Sequence, residues 1–278
     1  MGPRGGADGR HAPHPDRGTL LSTPTADETP LSVLRRCVAD DIPLAPVHAA
    51  VGARLRAIEP GRAEADMPAP DGDVDGALWL LGDFVSGLAV TSTLAAGERI
   101  TTLRLTLHVV ARDDVHGTLH AVGCLDERSP EVALSTAVIT DDDGRTLARA
   151  HGRNAMLRDE QAAEYRTATP EWSRTARAPH TLVGDGAAPD PEAVNHAAVV
   201  QGGALASLPA RALADVLGGP PDEATATFLR AVPADGRTVR TEVEVEHDGR
   251  RLRSGRALLR DDRDRTVLTM TGLRYTPG

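Results

Sequence analysis

The sequence predicts an α+β fold built from two similar halves, and three observations carry that prediction. Two apolar helical stretches, DGALWLLGDFVSGLAV (75–90) and GGALASLPARALADVL (202–217), each precede a run of segments with the alternating pattern of half-buried strands. The halves also align in two places: DGALWLLGD (75–83) with GGALASLPA (202–210), and DDDGRTLARAHG (141–152) with DDRDRTVLTMTG (261–272). A helix followed by consecutive strands predicts antiparallel pairing, whereas alternating strands and helices would predict a parallel sheet.

The elements follow in order along the chain. Residues 1–30, rich in Gly, Pro and charge, read as a disordered tail. The first half, 31–158, opens with a short helix at SVLRRC (32–37) and two alternating runs around the turn Glu59-Pro60-Gly61. The DGDVDG loop (71–76) leads into the first apolar helix. Strands are expected at 100–110, 117–127, 132–142 and 145–157, with the acidic stretch Asp141-Asp142-Asp143-Gly144 as a hairpin turn. Residues 159–177 are polar and Pro-interrupted, as a linker is. The second half, 178–278, repeats the order, with strands expected at 224–232, 237–249, 250–262 and 265–276.

Composition excludes several function classes. The chain has 278 residues and a formal net charge of −9, which disfavours nucleic acid and anionic membranes as partners. Its longest apolar run falls short of the roughly 20 residues that span a bilayer. Cys37 and Cys124 form neither a disulfide framework nor a metal-ligand spacing, so a reducing cytoplasm is the expected compartment. There is no G-x-S-x-G elbow, no H-E-x-x-H, no Walker loop and no G-x-G-x-x-G. Ser86 and Ser207 lie within the helices without an evident His partner, and His108, His116, His120 and His151 are scattered over strands and turns. No metal and no redox cofactor is expected.

The informative residue is Asp83, a carboxylate in the middle of the first apolar helix. Burying it without a partner is costly, so it is either structurally satisfied or reactive. At helical spacing it shares a face with Gly76, Trp79 and Gly87, small residues that leave room beside it and an aromatic wall. Such surroundings raise a carboxyl pKa toward the range where it works as a base.

The stretch Asn195, then Gln201-Gly202-Gly203-Ala204-Leu205, followed by strands carrying D-x-D-G-R-x-x-A in the first half, resembles the hotdog-fold acyl-CoA thioesterases of the phenylacetate-pathway type. The resemblance covers most of 45–157 and, more weakly, 178–276. It implies a double hotdog, two fused halves imitating a homodimer. It also implies composite sites, in which one half supplies a helix carboxylate and the other its loop and helix N-terminus. Asp83 is then the reacting carboxylate, acting as base or nucleophile. Asn195 and Gln201 orient the carbonyl or water, and the Gly202 and Gly203 N–H groups hold an oxyanion. Trp79, Gly76 and Gly87 line the substrate. The family has His where Gln201 stands.

The opposite pairing lacks the chemistry, because Ala210 replaces the carboxylate and Asp75 would repel an oxyanion. The expected substrate is an acyl thioester of coenzyme A or of an acyl carrier protein, coenzyme A entering only as part of that substrate. Rival readings are a non-catalytic acyl-binding hotdog and a hotdog recruited to another reaction on a carrier-bound intermediate. Because a fused pair satisfies its own dimer interface, a monomer or a dimer of the whole chain is expected.

Overall fold

The computed structural model describes residues 28–158 and 176–277. The expected tail and linker fall largely on residues outside this range. The tail's last residues are ordered: Thr29 caps helix α1 (Pro30–Val38) through a 3.3 Å bond from the Ser32 N–H, with Pro30 in the first turn. A five-residue helix that periodicity is too short to reveal, α2 (Pro46–Ala50), follows.

Ten strands form one antiparallel sheet. They are β1 (Arg54–Glu59), β2 (Arg62–Pro68), β3 (Glu98–Val109), β4 (Thr118–Arg128), β5 (Val132–Thr140), β6 (Thr146–Arg158), β7 (Glu223–Phe228), β8 (Val239–Asp248), β9 (Leu252–Asp261) and β10 (Thr266–Tyr275). Each expected strand is present. The spatial order is β1-β2-β4-β5-β6-β3-β7-β10-β9-β8. The seam is the β3–β7 pair, running from Arg104 opposite Thr227 to His108 opposite Glu223. From that seam the order reads β3-β6-β5-β4 in one direction and β7-β10-β9-β8 in the other, and β1–β2 extends the first side.

The two aligned turns are equivalent in atomic detail. Asp141 Oδ1 accepts from the Asp143 and Arg145 N–H groups while Arg145 Nε donates to Oδ2 at 2.9 Å. Asp261 accepts from the Arg263 and Arg265 N–H groups and from Arg265 Nε, at 2.8 Å, in the same way. The acidic turn is therefore a pair of side-chain-locked hairpins.

Two long helices pack on one face of the sheet, α3 (Val74–Thr91) against β2 to β6 and α4 (Gly202–Leu217) against β8 to β10. Asp73 caps α3, accepting the Gly76 N–H at 3.2 Å. Gln201 caps α4, accepting the Ala204 N–H at 2.7 Å, and α4 ends at Gly218 with φ 73°. α3 is apolar on nearly every side because it lies at the centre of the core. It has the length and composition of a membrane span, yet most of it is buried within the fold. Where the helices touch, Gly203 sits on the Trp79 main chain so closely that a Cβ would overlap the Trp79 carbonyl. Only glycine permits that approach.

Candidate active site

Asp83 stands midway along α3, and its carboxylate crosses to the start of α4. Asp83 Oδ2 accepts from Gln201 Nε2 at 2.6 Å and from the Gly203 N–H at 3.1 Å. Its Oδ1 accepts from the Thr102 hydroxyl at 3.1 Å. The Gly202 N–H also stabilises the charge. A Cβ on Gly202 would lie 2.9 Å from Oδ2, so glycine there leaves the carboxylate its place.

These bonds follow from local sequence. Gln201 precedes the first turn of α4, so its amide oxygen caps the helix and its nitrogen is left to donate to Asp83. Gln201 is 3% exposed and also donates to the Leu80 carbonyl at 3.4 Å. The orphan N–H groups of a helix start carry partial positive charge, which suits a carboxylate or an oxyanion. Burial pushes the Asp83 carboxyl pKa up from its usual range; the Gly203, Thr102 and Gly202 bonds oppose that shift without cancelling it.

The residues expected beside Asp83 divide. Gln201, Gly202 and Gly203 meet it, and Gly87 lies one helical turn away, near Ile100. Asn195 uses its carboxamide oxygen on the Ala197 N–H at 2.9 Å, a local turn, and is not among the groups that hydrogen-bond Asp83. Gly76 and Trp79 both line a cavity of about 160 Å³ that also includes Asp75, Ala210 and Ser207, and the Trp79 main chain meets Gly203 as well. They do share an angular stripe with Asp83, but seven residues of helix put Gly76 about 10 Å from it along the axis. At that height α3 faces the middle of α4, not its start.

The opposite pairing has the composition expected of it. Ala210 borders the cavity where a carboxylate would stand, and Asp75 is held by Arg112 at 3.4 Å. Arg112 also contacts Asp222 Oδ1 at 3.1 Å. Thr102 was not legible in advance. A bulge between Thr102 and Arg104 turns Thr102, rather than Thr101, to the helix side.

Two of the histidines are engaged away from Asp83. His120 bridges Asp66 (2.8 Å) and Asp142 (3.0 Å), and His108 contacts Glu223 at 3.2 Å. Ser86 donates to the Gly82 carbonyl at 2.6 Å, the packing role expected of it. His48 stacks on Phe84 with ring centroids 3.7 Å apart, and burial holds its pKa well below the usual value. Among the described residues, no group of three or more His, Cys, Asp and Glu side chains is arranged to hold a metal.

Two long helices against one face of an antiparallel sheet, with a helix carboxylate meeting a glycine-rich helix start, make up a hotdog-type α+β fold. In sequence, residues 190–275 match the family model of the acyl-CoA thioesterase N-terminal domain, from before α4 to the end of β10. The match falls on the half whose resemblance looked the weaker. No curated protein matches the chain. Among solved structures, a thioesterase family protein from Silicibacter pomeroyi is 20% identical, covers 45% of this chain and 98% of its own, and has a TM-score of 0.41. A phenylacetic acid degradation-related protein from Ralstonia eutropha is 28% identical, with coverages of 44% and 97% and a TM-score of 0.39. The 12:0-ACP thioesterase from Umbellularia californica is 14% identical, with coverages of 65% and 74% and a TM-score of 0.47.

Proposed function

We propose that the chain is a double hotdog that hydrolyses an acyl thioester at one composite site. The observation that carries this reading is the Asp83 carboxylate from α3 held by Gln201 and Gly203 at the start of α4. In this reading the thioester carbonyl oxygen takes over the Gly203 N–H, with Gly202 beside it. Release of that bond frees Asp83 to accept a proton from water or to attack the carbonyl carbon. The tetrahedral oxyanion sits on the helix start and its collapse breaks the C–S bond. In the base route the thiolate takes the proton Asp83 received from water. In the direct route the thiolate leaves an acyl–Asp83 anhydride that water then hydrolyses. Both routes need the ionised form of Asp83, and its raised pKa makes it a better base than an exposed aspartate. Gln201 holds the carboxylate in place. The substrate class is an acyl-CoA or an acyl-carrier-protein thioester, and no further cofactor enters the reaction.

Purified full-length protein assayed against a panel of acyl-CoA and acyl-carrier-protein thioesters, with free thiol measured, tests the proposal. Turnover that disappears in Asp83→Asn supports it. Turnover that survives that change, or none with any thioester, overturns it. Label in Asp83 after single turnover in ¹⁸O-labelled water identifies direct attack, with water cleaving the anhydride at the Asp83 carbonyl.

A further inference from the structure

We propose that the cavity beside Ala210 is a second, non-hydrolysing ligand site, shaped for a small carboxylic acid with an apolar tail about the size of a benzene ring. One side of it is apolar, from Trp79, Leu107, Ala210 and Ala224, and the other carries Asp73, Asp75 and Arg211. Its volume of about 160 Å³ is close to that of an engineered apolar cavity that binds benzene.

The polar groups at the same cavity have donors to spare and few acceptors free. Trp79 is 3% exposed as a residue, and its indole N–H, which has no acceptor among the described residues, is left accessible rather than sealed in the core. Arg211 donates to the Ser207 hydroxyl at 3.3 Å and to the Val183 carbonyl at 2.9 Å. Its half-buried guanidinium makes no ion pair within 4.0 Å among the described residues, with Asp73 and Asp215 acting on it from further off. The acidic residues here are already engaged. Asp73 accepts from the Gly76 N–H and from His180, through its N–H at 2.8 Å and its ring at 3.0 Å. Asp75 faces Arg112, which also holds Asp222. A ligand that complements an indole N–H and an unpaired guanidinium above an apolar void carries acceptor oxygens on an apolar body. A free acid has that chemistry. It belongs to the class that thioester hydrolysis releases, but the inference stands on the cavity and its donors, not on turnover.

The site cannot hydrolyse a thioester, because Ala210 offers no base and the Gly76 N–H is taken by Asp73. Its occupant would bridge the two halves, since Trp79 belongs to α3 and Arg211 to α4. Binding there therefore bears on the same helix pair that builds the Asp83 site.

Calorimetric titration of the full chain with hexanoate and with benzoate tests the proposal. One saturable site is expected, weakened at least about tenfold by Arg211→Gln, which removes a charge-assisted hydrogen bond. Ala210→Leu, which fills the void, is expected to weaken it similarly, and Asp83→Asn to leave it unchanged. Circular dichroism confirms that each variant folds, and Arg211→Gln, at the cavity edge, keeps the test alive if Ala210→Leu does not fold. No saturable binding of either acid overturns the proposal. So does binding that Arg211→Gln leaves intact, or binding that only Asp83→Asn removes. Thioester turnover is scored separately: a wild type that binds the acid without hydrolysing any thioester sinks the hydrolase reading and leaves this one standing.

Discussion

At the start of α4, Gln201 caps the helix with its oxygen and gives its nitrogen to Asp83, a carboxylate from the other half. At the start of α3, Asp73 caps the helix with one oxygen and takes His180 with the other, and Asp75 follows in the first turn. The helix ends are alike, and both satisfy their orphan N–H groups with negative charge. The difference is where that charge comes from. α4 carries no acid in its first turn and takes one from across the interface, the one that a substrate oxygen replaces in the proposed reaction. α3 brings its own acids, fixed within its loop, and nothing is left to exchange. Two similar sequences thus yield one helix start that meets an acid from the other half and one whose Gly76 N–H is satisfied by its own loop.

The largest effect expected from breaking this asymmetry is that of Asp83→Asn. An asparagine can accept from Gln201 and Gly203 and donate to Thr102, so the fold is retained, but it can neither take a proton nor attack a carbonyl. A loss on the order of 10² to 10⁴ in kcat/KM is expected. Stability should change in the other direction. The folded-state pKa of Asp83 lies above its unfolded value, so its favourable contribution is complete below the unfolded pKa and is lost as pH rises through the folded one. Thermal melts should therefore show Asp83→Asn gaining on wild type as pH rises from acid to neutral. A variant that loses stability at neutral pH would mark Asp83 as a structural residue.

Two adjacent glycines sharpen the comparison. In Gly202→Ala the new Cβ meets only the Asp83 carboxylate, at 2.9 Å, and should push it aside while the helices stay in contact. A misplacement of about 1 Å can cost about 100-fold in rate. In Gly203→Ala the Cβ meets the Trp79 carbonyl instead, so the helices must separate, at about 1–3 kcal/mol of stability. Kinetics and denaturant midpoints on both variants check this. Equal losses of stability would mean that Gly202 is a packing residue like its neighbour.

Gln201→Ala removes both the cap and the bond to Asp83, so rate and stability should fall together. The rate loss should be smaller than for Asp83→Asn because the base remains. Loss of a helix cap costs about 0.5–2 kcal/mol. Chemical denaturation alongside thiol release measures both. A rate loss as large as that of Asp83→Asn would put Gln201 in the chemistry rather than in the positioning.

How far the sequence reached is clear from these residues. Asp83, Gln201, Gly202 and Gly203 were legible because a carboxylate in an apolar helix and a glycine pair at a helix entry are local anomalies, and the repeat said which end faces which. Gly76 lies about 10 Å along the axis from Asp83, a separation that helical periodicity does not weigh because it fixes only the angle around the axis. Thr102 could not be told from Thr101, since a bulge in β3, not the residue types, decides which one faces α3. The cavity at Ala210 was invisible because it exists only where two halves, distant in the chain, meet.

A subtler effect is expected from Thr102→Val. The Thr102 hydroxyl favours ionised Asp83, so removing it should raise the Asp83 pKa further. The acid limb of the kcat/KM profile then moves to higher pH, with the rate on the plateau little altered. A limb that stays in place or moves down would show that the observed ionisation belongs to another group.

The smallest effect is expected from Asp75→Asn, and it is the sharpest test of the α3 end. Asp75 faces Arg112, which keeps its contacts to Asp222 and to the Pro221 carbonyl when that charge is removed. Burial pushes the Asp75 pKa up, so the folded chain gains little from its charge and the substitution should cost little stability. Since Ala210 supplies no base beside it, removing the repulsive charge does not open a second hydrolytic site. Turnover should stay within a few-fold of wild type, with a single kinetic phase. If Asp75→Asn instead cut the rate as deeply as Asp83→Asn, both helix starts would take part in the chemistry. If it raised the rate and added a second phase that survives Asp83→Asn, the α3 end would be silenced by charge alone.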